Sequence, residues 1–193
     1  MRAPKAVVAG AMVVALTGLA GCSGGSGSDG TPTTGPPSST AADGSTVPGT
    51  DLELGAKAVV AFKADKKHRS QIKLAVTKVT KGKTKDLARF KLGKAARSST
   101  VYYVSTTVKN LGPDTLTGAR IALYGKVSDT LVVPPVRFGS PFPRCQQAPL
   151  PPKFTSGKSV NGCMVMLAPK HGKVSEVQWR PANGALPISW LVK

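Results

Sequence analysis

The stretch "TVYYVSTTVK", residues 100–109, decides the fold class. It sets Tyr102, Val104, Thr106 and Val108 on one side and Tyr103, Ser105, Thr107 and Lys109 on the other. That period of two belongs to a pleated strand with one face buried. "IALYGKV" at 121–127 repeats the pattern, with Ile121, Leu123 and Val127 inward. Further strands are expected at 56–62, 71–79, 131–136, 160–167, 174–180 and 187–192. Turn formers separate them: "NLGPD" at 110–114, Pro134-Pro135, Ser156-Gly157 and Asn183-Gly184. In the 71–79 strand Ile72, Leu74 and Val76 share a face, but Lys78 then takes the inward position and Val79 the outward one. A bulge near Thr77, or departure from the sheet there, reconciles the two phases. A short turn of helix fits only at 84–97, "TKDLARFKLGKAAR". Many short strands with loop punctuation predict an all-β chain folded as an antiparallel β-sandwich.

The residues ahead of the strands have a different composition. "MRAPKAVVAGAMVVALTGLAGC" carries positive charge at Arg2 and Lys5, then sixteen uncharged residues, 6–21, then Cys22. This is the charged and apolar layout of a secretory signal, and the apolar run is short of the roughly 20 residues a spanning helix needs. Leu19-Ala20-Gly21-Cys22 resembles the lipobox of bacterial lipoproteins. The resemblance implies removal of residues 1–21 and lipid attachment at Cys22, where two or more acyl chains give a stable membrane anchor. Residues 23–51, rich in Ser, Gly, Thr, Pro, Ala and Asp, hold little that can be buried and are expected to be a disordered tether. A flexible chain of that length spans about 30 Å. The folded domain is thus expected at 52–193, lipid-anchored to the outer face of the cell membrane.

The chain has three cysteines. With Cys22 assigned to lipid, Cys145 and Cys163 have only each other, in a compartment where disulfides persist. Closing that loop stabilises a fold by roughly 3 kcal/mol on the chain-entropy argument. The alternative is two free, buried thiols.

A second resemblance rests on "VYYVSTTVKNLGPDTL", "SGKSVNGCMVMLAP" and "VSEVQWRP". These are similar to the valine-aromatic strand with its Asn-x-Gly turn, the glycine-led strand and the tryptophan strand of telokin-like, immunoglobulin-like domains in secreted and lipid-anchored actinobacterial proteins. The resemblance covers about residues 53–181 and implies an immunoglobulin-like β-sandwich; most such families have no assigned biochemical function. The lysine-rich 57–97 segment departs from the pattern.

Chemistry is sparse. From residue 54 onward the carboxylates are Asp65, Asp86, Asp114, Asp129 and Glu176, and the histidines are His68 and His171. No spacing among them implies a triad or a glycosidase couple, and no glycine-rich phosphate loop stands between strand and helix, so no catalytic residue, enzyme class or cofactor is assigned. Met164 and Met166, with Cys163 and His171 nearby, suit cuprous ion, which leaves a copper or small-ligand carrier as the alternative function. Core packing accounts for the same methionines.

Charge is the strong signal. Without Arg2 and Lys5 the chain keeps 25 basic against nine acidic residues, a net of +16 before the termini. Residues 63–97 hold thirteen Lys or Arg and only Asp65 and Asp86. The polyanion-binding candidates are Lys66, Lys67, Arg69, Lys73 and Lys78, then Lys81, Lys83 and Lys85, then Arg89, Lys91, Lys94 and Arg97. Such a field attracts polyanions in a salt-dependent way, and equally keeps a face solvated and an edge protected. Outside a membrane the available polyanions are cell-wall polymers and lipid headgroups. Nucleic acid is not expected, because Phe62 and Phe90 are the only aromatic residues in or beside the basic segment. The loop "PPVRFGSPFPRCQQAPLPP" interleaves Arg137, Phe138, Phe142 and Arg144, residue types of interfaces that also suit a cover over an open end of the sandwich. The expected function is a binding module of the cell envelope, with an anionic polymer or an envelope protein as partner.

Overall fold

The computed structural model describes residues 39–193. Cys22, the expected signal at 1–21 and the first part of the expected tether lie outside the described residues.

Nine strands form two sheets. They are β1 (Asp51–Glu53), β2 (Lys57–Lys63), β3 (Arg69–Lys81), β4 (Thr100–Asn110), β5 (Tyr124–Ser128), β6 (Leu131–Val133), β7 (Ser159–Ala168), β8 (Glu176–Trp179) and β9 (Ile188–Leu191). One sheet has the order β2-β3-β4-β7, the other β1-β9-β8-β5-β6. All pairs are antiparallel except β1 with β9. The quoted decapeptide is the body of β4, a central strand that pairs β3 on one side and β7 on the other.

The inward residues are those the alternation marks. Ile72, Leu74 and Val76 of β3, Val104 and Val108 of β4, and Met164 and Met166 of β7 meet Val177, Trp179, Ile188 and Trp190 from the opposite sheet. Trp190 is fully buried, and its indole N–H donates to the Ala56 carbonyl at 2.9 Å, so the largest core side chain leaves no polar atom unpaired. The register of β3 against β4 slips between Val76 and Lys78, a bulge at Thr77. It turns Val79 back toward the core and Lys78 toward solvent, as the broken alternation in the sequence predicts.

Three expectations shift. The strand expected at 121–127 begins at Tyr124, where pairing with Gln178 starts; Leu123 is buried ahead of it without being in a strand. The 84–97 segment forms two separate single turns, a 3-10 turn at Thr84–Leu87 and α1 at Lys94–Arg97. Residues 39–51, expected as tether, are hydrogen-bonded to the sandwich. Thr46 donates its N–H to Val59 and accepts the Val59 N–H on its hydroxyl, Gly49 donates to Pro187, and β1 runs beside β9. A few groups suffice for this: a segment whose side chains suit disorder on average still supplies backbone donors and a threonine hydroxyl acceptor that an open sheet edge can use.

A second hydrophobic cluster sits on the outer face of β4 and β7. Val101, Val165 and half-buried Tyr103 and Leu167 point away from the main core and are covered by Leu87, Phe90, Leu92, Phe138 and Phe142. The basic segment and the proline-rich loop thus pack on one another over the flat of this sheet, not over an end of the sandwich. Cys145 and Cys163 are joined as a disulfide, which fastens that loop to β7.

Candidate functional site

The twelve basic candidates do not form one patch. At about 3.3 Å per residue, the thirteen residues of β3 separate Arg69 from Lys81 by about 40 Å. Lys66, Lys67 and Arg69 lie at the β2–β3 turn, where carboxylates are in use. Asp65 accepts from the Lys67 and His68 amides at 2.7 and 2.9 Å and from His68 Nδ1 at 2.7 Å, while Asp114 accepts the Arg69 amide at 2.8 Å. The His68 side chain, then the two amides, hold the Asp65 carboxyl down at about 2. This His–Asp pair closes an exposed turn.

At the other end Lys78, Lys81, Lys83, Lys85, Lys91, Lys94 and Arg97 are all exposed, on the last residues of β3 and across the outer cap, the basic segment that covers the second cluster. Arg144, which sequence reasoning placed only in the proline-rich loop, joins them. Arg89 is a different case: its guanidinium lies 5.1 Å over the Phe90 ring and donates to the Pro141 carbonyl at 2.6 Å, tying cap to loop. The cap's one carboxylate, Asp86, is largely enclosed. It accepts the Lys83 amide at 3.1 Å and the Tyr103 hydroxyl at 3.0 Å, with Arg144 3.9 Å away. The Lys83 amide lowers the Asp86 carboxyl below its ordinary value, and burial followed by that carboxylate pushes the Tyr103 phenol up to about 12. Gly82 makes the arrangement possible, since a Cβ there would stand 2.6 Å from the Tyr103 ring. None of the twelve candidates has a carboxylate within ion-pair distance among the described residues.

Across the sheet, cation faces cation. Lys73 is opposite Lys109, and Arg69 is opposite Lys63. Like charges directly opposite on an antiparallel pair destabilise it.

The copper alternative fares differently. Met164 and Met166 are buried in the inter-sheet core, Cys163 faces the other side of β7 with its sulfur in the disulfide, and His171 is exposed in the turn after β7. The four donors do not converge. Among the described residues no group of three or more His, Cys, Asp or Glu could hold a metal ion. No helix among them is long and apolar enough to cross a membrane.

One element escaped the sequence reading altogether. Asn110, read as a turn former, is fully buried; its Oδ1 accepts from the Ser70 hydroxyl at 2.6 Å and the Gly112 amide at 3.2 Å, and its Nδ2 donates to the Asp114 and Phe154 carbonyls at 2.7 and 3.0 Å. One side chain thereby locks the turn after β4 to two neighbouring segments.

The two sheets, their order and the shared core define an immunoglobulin-like β-sandwich. Among solved structures, it is similar to MPT63, a secreted protein from Mycobacterium tuberculosis, with a TM-score of 0.50 and 12% identity, over 74% of this chain and 96% of that one. No family model and no curated protein matches the sequence.

Proposed function

We propose that the chain is an exported lipoprotein, anchored at Cys22, whose sandwich is a binding module for an anionic polymer of the cell envelope. The observation that carries the reading is the exposed set of lysines around the outer cap with Arg97, which the fold leaves without carboxylate partners among the described residues. The facing pairs Lys73–Lys109 and Lys63–Arg69 support it, because a bound polyanion relieves the repulsion that each pair costs the sheet. The lipobox-like Leu19-Ala20-Gly21-Cys22 supports the address, and the membrane surface keeps such a module where wall polymers are concentrated.

Two experiments test it. Fractionation of cells making the chain or its Cys22→Ser variant should move the protein from membrane to soluble fraction, and a variant that stays membrane-bound refutes the anchor. Retention on isolated cell-wall material should fall steeply between about 50 and 200 mM salt, as polyanion contacts do. It should be largely lost when Lys81, Lys83 and Lys85 are replaced together by Glu. Retention untouched by both salt and that triple substitution refutes the polyanion reading.

A further inference from the structure

The side of the sandwich beside β7 is open. β7 is an edge strand, and its pairing with β4 turns the backbone groups of Val160, Gly162 and Met164 toward β4. Those of Asn161 and Cys163 therefore face outward. Only farther along does the 134–136 segment cover the edge, where Val136 donates to Val165. Below that point a cavity of about 130 Å³ enters between the sheets. Its floor is mostly apolar, with Val108, Ile121, Leu150, Val160 and Met164 beside the Thr106 hydroxyl, and Gly162 leaves room for that hydroxyl, since a Cβ there would stand 2.9 Å from it. Apolar cavities near this size, about 150 Å³, accept a benzene-sized guest.

The mouth has the opposite character. Arg120 and Arg137 both line the cavity and also the wider cleft, about 590 Å³, that continues from it under the proline-rich loop. Arg120 is held in place by a bond from Nη1 to the Gln147 carbonyl at 3.1 Å, and neither arginine has a carboxylate partner among the described residues. Gln147 itself keeps its Nε2 enclosed with no hydrogen-bond partner. An unpaired enclosed donor is costly, and a turn of the amide toward an acceptor in the cavity removes that cost. Guanidinium groups match the planar fork of a carboxylate.

We propose that this cleft binds a small amphipathic carboxylate, its aryl or short acyl end in the cavity and its carboxylate between Arg120 and Arg137. The site uses none of the cap lysines, although Phe138 and Phe142 wall both the cleft and the cap, and its ligand is a small acid, not a polymer.

The test titrates the full chain with benzoate and hexanoate, and with benzyl alcohol and hexan-1-ol as neutral counterparts, following backbone amides by NMR. Both acids should give saturable shifts at residues 161–164 and at Arg120 and Gln147, with the alcohols at least about tenfold weaker. Arg120→Gln and Arg137→Gln should each weaken the acids about tenfold, as loss of a charged hydrogen bond does. Ala148→Trp, at an exposed position on the cavity rim, should block them without removing charge. A thermal melt of each variant identifies any that fails to fold, and Ala148→Trp keeps the test decisive if an arginine variant does. Replacing Lys81, Lys83 and Lys85 by Glu should leave acid binding unchanged, which separates this site from the polymer surface. The proposal is overturned by alcohols binding as well as acids, by shifts confined to residues 78–97, or by no saturation up to about 10 mM. An extended peptide that pairs with the β7 edge while the free acids do not bind overturns it too.

Discussion

Replacing Phe142 by Ala tests whether the outer cap is a cohesive unit of its own. Phe142 is 5% exposed, and its ring centroid lies 5.7 Å from that of Phe90, 5.4 Å from Phe138 and 6.0 Å from Tyr103. Truncating such a ring removes its burial and leaves a cavity, for a typical cost of about 3–5 kcal/mol. The disulfide next to it holds the loop to β7, so the gap cannot close by collapse of the backbone. The loss should appear mainly as local opening. Both tryptophans, Trp179 and Trp190, belong to the inter-sheet core and neither to the outer cluster. Denaturation followed by tryptophan emission should therefore shift by well under the full cost. Amides of residues 84–97 should exchange faster by about 100-fold or more, since 3 kcal/mol is a little over two powers of ten. The reasoning is refuted if the tryptophan transition moves by the whole 3–5 kcal/mol while the cap amides exchange no faster relative to the core.

Four further outcomes are expected. Replacing Cys145 and Cys163 together by Ser should lower stability by roughly 3 kcal/mol in urea titration, and a change below about 1 kcal/mol would show that the aromatic contacts alone hold the loop. Asn110→Ala removes four hydrogen bonds, although Ser70 and Gly112 keep the Gln71 carbonyl and the Phe154 carbonyl keeps the Leu116 amide, so it should cost about 1–3 kcal/mol, read as a fall in denaturation midpoint. The Asp86 carboxyl is lowered in the fold from 3.8, so its contribution is present above about pH 4 and is lost as pH falls through the lowered value; Asp86→Asn should flatten the acid limb of a stability profile. Tyr103 is raised from 10.0 to about 12, so its contribution is present below pH 10 and lost as pH rises through about 12, and Tyr103→Phe should flatten the alkaline limb.

The sandwich was legible because its strands alternate cleanly, and even the Thr77 bulge was, because the inward run Ile72, Leu74, Val76 breaks phase at a lysine. The outer cap was not, although a sign of it stands in the first half of the decapeptide. Val101, Tyr102, Tyr103 and Val104 are apolar without interruption, which is how a strand covered on both faces reads. The basic segment concealed this cap: Leu87, Phe90 and Leu92 are spaced too irregularly for either regular period, because Leu87 closes one single turn and the other two lie in the tightly turning connection to the next. The acid cleft was hidden for another reason. Arg120, Arg137 and Gln147 are neighbours only because the β4–β5 and β6–β7 loops converge beside β7, and nothing local records that convergence. The Asn110 knot is of the same kind, since its acceptor on Phe154 is 44 residues away.

The entry segment has a mechanical meaning. Residues 39–53 are stitched to both sheets, to β2 through Thr46 and to β9 through Gly49 and β1. A pull arriving through the chain ahead of Ser39 is thus shared between the two layers and meets β1 lying parallel to the last strand, where its hydrogen bonds yield together in shear instead of unzipping one at a time. Under the anchoring proposed above, the domain would resist being drawn open from that end.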